Sequence, residues 1–364
     1  MHSDRATLLN LASRIESAIE RIGLNLSGQR VLTEAASGAF ATTSVMAAVA
    51  GAAHVAAAVR ESRWGTVDEI RHATFELAEY FGVRDVIDVT TQATSELAHE
   101  VDVVTNLGFV RPISRQLIEC LPAHAAIALM WEPWEIRAED IDLAACRDHQ
   151  IPVIATNEHH PEIATFRFVG LLALKLLFEK KCEVDRLKVL IIGSDPFGRA
   201  CEDVLSSLGA QVIRLDPIVE WPPSRGHDVF VAVDAVVIAE HRYTGMLLSQ
   251  ETDALVALLG KRQIPVVHIC GGVDAELLAT HNVQKHPAHS VPIGYMTVTT
   301  AHIGTKPVVD LHCAGLHAAS LVSRARKRGV SVRESVLVAV ESGFGLPLVM
   351  DPSHLIGLSP KQTL

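Results

Sequence analysis

The 364-residue sequence predicts an α/β protein: two doubly wound parallel-sheet domains, Rossmann-like and flavodoxin-like, with an interdomain cleft. Two observations lead there. Short β-rich runs alternate with helical stretches almost throughout, and one interruption, a helix apolar nearly all round, divides the alternation in two. The length suits two domains of common size, and 49% apolar against 20% charged residues suffices for full cores.

The chain begins with an amphipathic helical pattern, with Leu8, Leu9, Leu11, Ile15 and Ile19 on one side, in place of the basic end and apolar run of a leader. The first domain, flavodoxin-like and spanning residues 1–160, reads "RVLTEAAS", helical "TTSVMAAVAGA", "HVAAAVR", helical "TVDEIRHATFELAEYFG", "RDVIDVTT", "VDVVTNL", "HAAIALMW" and "IPVIATN". Its most apolar stretch, Phe40 to Val59, contains Gly51, His54 and two threonines, so it divides into a helix and a strand instead of spanning a membrane. The second domain, residues 161–307, opens with the all-round apolar helix carrying Phe168, Leu171, Leu172, Leu174, Leu176 and Leu177, expected between the two domains. Its strands read "LKVLIIGS", "AQVIRLD", "DAVVIAEH", "IPVVHIC" and "YMTVTTAH". The tail, residues 308–364, holds one more helical pattern and the apolar finish "GFGLPLVMDP", and is expected to pack back on the first domain.

A net charge of −10 without a basic run argues against nucleic acid and anionic membranes as partners and leaves a small-molecule or peptide ligand. Six scattered cysteines with no CxxC pair fit a reducing compartment, so a soluble, cytoplasmic protein is expected.

"LIIGSDPFGRACEDVL" has the strand–turn–helix shape of a dinucleotide turn, in which a first glycine makes the bend, a second admits the pyrophosphate and a third lets helix and strand pack. Gly193 and Gly198 fill the first and third places; Asp195 fills the second. Ser194, Phe197 and Asp216, 23 positions after Gly193, complete a candidate site for NAD, the acid accepting from the ribose hydroxyls. A carboxylate beside two phosphates is unfavourable, and Arg199 is the nearest sequence neighbour to offset it. Asp195 also reads as a helix N-cap.

Five segments in order, "EDIDLAACRDHQIPVIATNE", "LKVLIIGSDPFGRACEDVLSSLGAQVIRLDP", "DAVVIAEHRYTGMLLSQETDALVAL", "VVHICGGVDAELL" and "VTTAHIG", resemble the D-2-hydroxyacid dehydrogenases over residues 100 to 310. The resemblance implies NAD-dependent hydride transfer, a homodimer formed through the second domain, and a catalytic trio of arginine, glutamate and histidine. His302 matches the histidine. Cys270 stands at the arginine's place, and between Asp274 and His302 the only glutamate is Glu276. Two readings follow. One is an NAD-dependent oxidoreductase acting on an unusual substrate through His302. The other is a non-redox protein of the same fold that takes a small molecule or peptide in a tryptophan-edged cleft.

That edge is "MWEPWEIRAEDID", where Trp131, Glu132 and Trp134 suit a flat or apolar ligand or else pack the hinge. Arg63, in "ESRWGT", is the nearest substitute for a carboxylate clamp. Cys270 with His268 is a candidate nucleophile and base, because residues two apart share a strand face; a buried inert thiol is the alternative. "SGAFATTS" offers a helix start for an anion. "NEHHPE", His312 and His317 lack metal spacing, the last two standing about 140° apart on a helix, so no metal is expected.

Overall fold

The computed structural model describes residues 5–222, 230 and 232–348; the tail past 348, with the end of "GFGLPLVMDP", lies outside the described residues. The chain forms two compact units, one from the chain up to Ile163 together with the chain from Thr305, the other from Ala164 to Gly304. Among the described residues no helix is long and apolar enough to cross a membrane.

The first unit carries helices α1 (Arg5–Ile22), α2 (Thr42–Val49) and α3 (Val67–Tyr80) and strands β1 (Arg30–Glu34), β2 (His54–Ala58), β3 (Ile87–Thr90), β4 (Val103–Thr105), β5 (Ala126–Leu129) and β6 (Val153–Thr156). The six strands are parallel in the order β6-β5-β4-β1-β2-β3, and Gly345–Pro347 adds antiparallel beside β6. The doubly wound class is as expected, and the structure adds the strand order. β3, read as "RDVIDVTT", adds an edge strand that turns the order into 3-2-1-4-5-6, the dinucleotide-fold order. α3 begins where Thr66 Oγ accepts the Glu69 amide at 3.2 Å while the Glu69 carboxylate accepts the Thr66 amide at 2.8 Å, a reciprocal cap. The long helix Lys306–Lys327 lies close on the sheet. A Cβ at Gly315 would meet Met130 Sδ at 2.3 Å, so glycine allows this approach without displacing the Met130 side chain.

The second unit starts with α4 (Thr165–Glu179), followed by β7 (Lys188–Ile192), α5 (Phe197–Ser207), β8 (Gln211–Leu215), β9 (Ala235–Ala239), β10 (Met246–Leu248), β11 (Val266–Cys270), β12 (Gly272–Val273) and β13 (Lys285–His286). Its main sheet is parallel in the order β13-β11-β9-β7-β8, which is the 2-1-3-4-5 order, with β10 and β12 paired apart. β9 and β11 are buried along their whole length, which is why they read as unbroken apolar runs. The apolar helix α4 belongs to this unit. Gly170 lets it press on α5, where a Cβ would meet Ala200 O at 2.2 Å.

Candidate functional site

In an open parallel sheet the ligand crevice lies at the carboxyl ends of the strands, where the strand order reverses. In the second unit that point is between β7 and β9. β7 runs into Gly193, where a Cβ would meet Ala239 O at 2.4 Å, and a Cβ on Gly198 would meet Gly193 O at 2.0 Å. Both glycines are therefore demanded by the packing of α5 on the sheet, with or without a ligand.

Three amides of the turn are already engaged. Gly193 N–H donates to Leu215 O at 2.9 Å and Gly198 N–H to Ser194 O at 2.7 Å, while Pro196 has no N–H. Ser194 donates its amide to Glu240 Oε2 at 2.6 Å and its hydroxyl to Glu240 Oε1 at 2.9 Å. Glu240, the residue after β9 and 1% exposed, also accepts the amides of Arg242 at 2.6 Å and Tyr243 at 2.8 Å. A carboxylate of the chain thus accepts both donors of Ser194, which are then not free for a phosphate oxygen.

The remaining residues of the turn have partners of their own. The Asp195 carboxylate is paired at 3.1 Å with Arg214 of β8, which also reaches Glu202 at 2.9 Å. Arg199 instead faces Glu202 at 3.7 Å, which corrects its expected role. The N-cap position of α5 is Pro196, so Asp195 is not the cap. Phe197 stacks on His241 with ring centroids 4.3 Å apart, and burial pulls His241 down to about 4. Asp216 Oδ1 accepts the Ile218 amide at 2.9 Å, closing a local turn. Taken together these residues do not fit a dinucleotide diphosphate: the Ser194 donors are taken, and Asp195 and Glu240 bring two carboxylates to the turn.

His302 is not brought to this turn. Its Nε2 lies 2.9 Å from Glu179 Oε1, and Glu179 Oε2 lies 2.7 Å from His286 Nε2. The hydrogen bonds from His286 and His302 hold the Glu179 carboxyl below its usual range against some burial. Lys175 Nζ donates to His302 O. On the same helix Phe166 packs on Phe197, with ring centroids 6.0 Å apart. Thirteen helical residues, about 20 Å at 1.5 Å each, separate Phe166 from Glu179. The cause is the path before His302: Met296 bridges antiparallel to Cys270 and Thr297 N–H donates to Ile269 O at 2.8 Å, so the chain runs back along β11.

Cys270 and His268 do not pair as nucleophile and base. The register of β11 on β9 slips between them, and a bulge breaks the alternation of faces. Cys270 joins the cluster of Val267 and Ile269, while His268 Nε2 lies 2.9 Å from Gly271 O. His268 is 0% exposed, and burial lowers it to about 4.

The first unit reverses between β1 and β4, and again a glutamate closes the point. Glu34, the last residue of β1, accepts the Phe109 amide at 3.0 Å and the Gly108 amide, both after β4. Burial raises its carboxyl, with Arg111 and Arg60 acting against the rise. Beyond β5, Trp131 is half-buried with the Arg111 guanidinium 4.9 Å over its ring, and Arg111 pairs with Asp140 at 2.7 Å. Trp134 is exposed and donates Nε1–H to Glu132 Oε2 at 3.0 Å. Arg63 is exposed over the ring of Trp64, 4.6 Å away, on the loop after β2. β2 stands three strands from β5, about 14 Å at the usual spacing, so Arg63 is not brought to the tryptophans. In "SGAFATTS", Ser37 makes no cap bond, and Thr43 Oγ lies 2.6 Å from the buried His312 Nδ1.

Glu240, Glu34, Glu179 and Arg214 escape sequence reasoning because their partners are distant in the chain. The signal available was an acid directly at the carboxyl end of an apolar run, in "DAVVIAE" and "RVLTE".

No protein-family model matches the chain, and no curated protein matches it. Among solved structures, one of the subunits of dipicolinate synthase from Bacillus halodurans is similar at 13% identity, over 86% of this chain and 99% of that one, with a TM-score of 0.49. The pyruvate reductase of Chlamydomonas reinhardtii is similar at 14% identity, over 82% and 97%, with a TM-score of 0.49. The NAD-dependent formate dehydrogenase from Staphylococcus aureus, solved in complex with NAD, is similar at 14% identity, over 82% and 94%, with a TM-score of 0.45.

Proposed function

We propose that this chain is a non-redox protein built on the two-domain dehydrogenase-like architecture, which takes a small molecule or peptide at the tryptophan-bearing carboxyl edge of its first unit. The observation that carries the reading is the Glu240 carboxylate on both donors of Ser194, at 2.6 and 2.9 Å. It supports a turn stabilised by the protein itself, with no donors of Ser194 left for a diphosphate. The separation of His302 from the turn supports the same reading, since a general acid must stand within hydrogen-bond reach of the reacting group. The exposed face of Trp134, beside the carboxyl group of Glu132, suits a ligand with an apolar ring or a cationic group.

Titration of the full chain with NADH, followed by cofactor fluorescence, tests this. No saturable binding at millimolar NADH is the expected result. Saturable binding at micromolar NADH that Asp216→Ala weakens returns the chain to the NAD-dependent oxidoreductase reading and removes ours.

A further inference from the structure

The loops after β4 and β5 leave the first unit's sheet side by side at its carboxyl edge, where open parallel sheets bind ligands. Ile113 N–H donates to Asp140 O at 2.9 Å and Asp142 N–H to Ile113 O at 3.0 Å, so a short parallel bridge joins the two loops. Beside the bridge lies a groove of about 490 Å³, within the range of small-molecule sites. Pro112, Ala138 and Leu143 give it apolar walls, and its charged lining residues are Arg115, Glu139 and Asp142. The charge there is one-sided. Arg115, the one cation in the lining, is shared by Asp148 at 3.0 Å, Asp142 at 3.7 Å and Glu119 at 3.9 Å. His149 Nε2 also lies 3.9 Å from Glu119. Glu139 is exposed and has no ion-pair partner among the described residues. Two short helices, Arg115–Glu119 and Leu143–Asp148, begin at the groove, and the chain's own oxygens cap both: Leu117 N–H donates to Ser114 Oγ at 3.4 Å and Ala145 N–H to Asp142 Oδ1 at 2.8 Å. An anion entering the groove meets Glu139 and Asp142, whereas a cation meets carboxylates that Arg115 alone does not balance.

We propose that this groove binds a small organic cation, an ammonium or guanidinium group on an apolar body, with the charge beside Glu139 and Asp142 and the body against Pro112, Ala138 and Leu143. The inference rests on the part of the functional reading that puts the ligand at the carboxyl edge of the first unit, and not on the loss of NAD; it adds the place and the charge of the ligand. The apolar walls supply the attraction common to any ligand of the right shape, and the carboxylates supply the choice of sign.

The probe is phenethylamine, a cation at about pH 7, titrated calorimetrically into the full chain beside phenethyl alcohol and 3-phenylpropionate, its neutral and anionic counterparts. The amine should bind saturably and about five-fold or more tighter than the alcohol, with the acid weakest, and this preference should shrink as salt rises from about 0.05 to about 0.5 M. Glu139→Gln should weaken the amine by about two- to five-fold, and Glu139→Lys should abolish its advantage over the alcohol. Both changes are at an exposed position, and unchanged thermal unfolding shows that the fold is intact. Ala138→Trp fills the groove, also from an exposed position, and should remove the binding of amine and alcohol alike. Trp134→Ala should leave the amine's affinity unchanged. The proposal is overturned by an amine that does not saturate, by three probes of equal affinity, by an amine advantage that survives Glu139→Lys, or by binding that Ala138→Trp leaves intact. It is also overturned if Trp134→Ala removes the binding, a result that moves the ligand to the tryptophans and leaves the functional reading standing. Saturable NADH binding beside an intact amine preference does the reverse: it removes the non-redox reading and leaves the groove.

Discussion

Glu240→Ala asks whether the closed turn is what holds the second unit's switch point. The substitution removes the acceptor of four donors, the Ser194 amide and hydroxyl and the amides of Arg242 and Tyr243, at 2.6 to 2.9 Å. Hydrogen bonds to a charged group contribute about 1.5–3 kcal/mol each, and a buried donor left without an acceptor costs about 1–3 kcal/mol. Water entering the vacated space offsets part of this, so the sum is below four full bonds. A loss of about 3–5 kcal/mol follows, at the upper end for a single substitution. For a domain of this size that is a fall in Tm of roughly 6–20 °C. Glu240→Gln keeps one acceptor oxygen but sets an NH₂ group against the Ser194 amide, so it should lose only about 1–3 kcal/mol. Thermal unfolding by circular dichroism should therefore rank wild type above Gln and Gln above Ala. Sodium formate, a small carboxylate, should restore part of the stability of Glu240→Ala beyond what equal sodium chloride does, and leave wild type unchanged. If Glu240→Ala matches wild type within about 0.5 kcal/mol, the usual range for an unimportant surface position, the carboxylate is not what stabilises the turn.

Two further outcomes are expected. Gly198→Ala, whose Cβ would meet Gly193 O at 2.0 Å, should destabilise the second unit by about 3 kcal/mol or more in urea unfolding even with no cofactor present, because the clash is with backbone that has nowhere to go. Acid should weaken the protein early: burial lowers His241, His268 and His312 to about 4, so the unfolded chain binds more protons than the folded one between about 6.5 and 4. Tm should therefore fall as pH drops through that window, and a Tm that is constant there would contradict the neutral buried imidazoles.

The alternation of strands and helices was legible because a parallel sheet covered on both faces must be apolar at nearly every strand position, as in β9 and β11. Strand order was not, since nothing local in "RDVIDVTT" says that β3 pairs outside β2. The turn was legible as a shape. Its occupant was not, because Glu240 lies 46 residues from Ser194 and only the fold brings them together. The same holds for Glu179, which meets His302 from 123 residues away, far outside the stretch between Asp274 and His302 where the resemblance places a glutamate. Cys270 and His268 failed for a local reason. Period-two reasoning assumes an unbroken ladder, and one register slip reverses the face of everything beyond it.

A glycine fingerprint is weaker testimony to a nucleotide than its shape suggests. Gly193 and Gly198 are fixed by the carbonyls of Ala239 and of Gly193 itself, so packing alone accounts for both. A diphosphate needs something else: amide hydrogens without a partner, in a place where negative charge is welcome. At this turn the amides of Gly193, Ser194 and Gly198 have partners inside the chain, and the Ser194 partner is a carboxylate. A diphosphate that used the Ser194 donors would have to displace Glu240, at a cost of about 3–5 kcal/mol, the same as for its removal. Each 1.4 kcal/mol is about one decade in affinity, so a site that would otherwise bind at about 1 µM is carried to about 0.1–4 mM. The consequence is a dependence on one side chain. Glu240→Ala should bind NADH more tightly than wild type, even though it is the less stable protein, and equal, unmeasurable binding in both would place the obstacle at Asp195 instead.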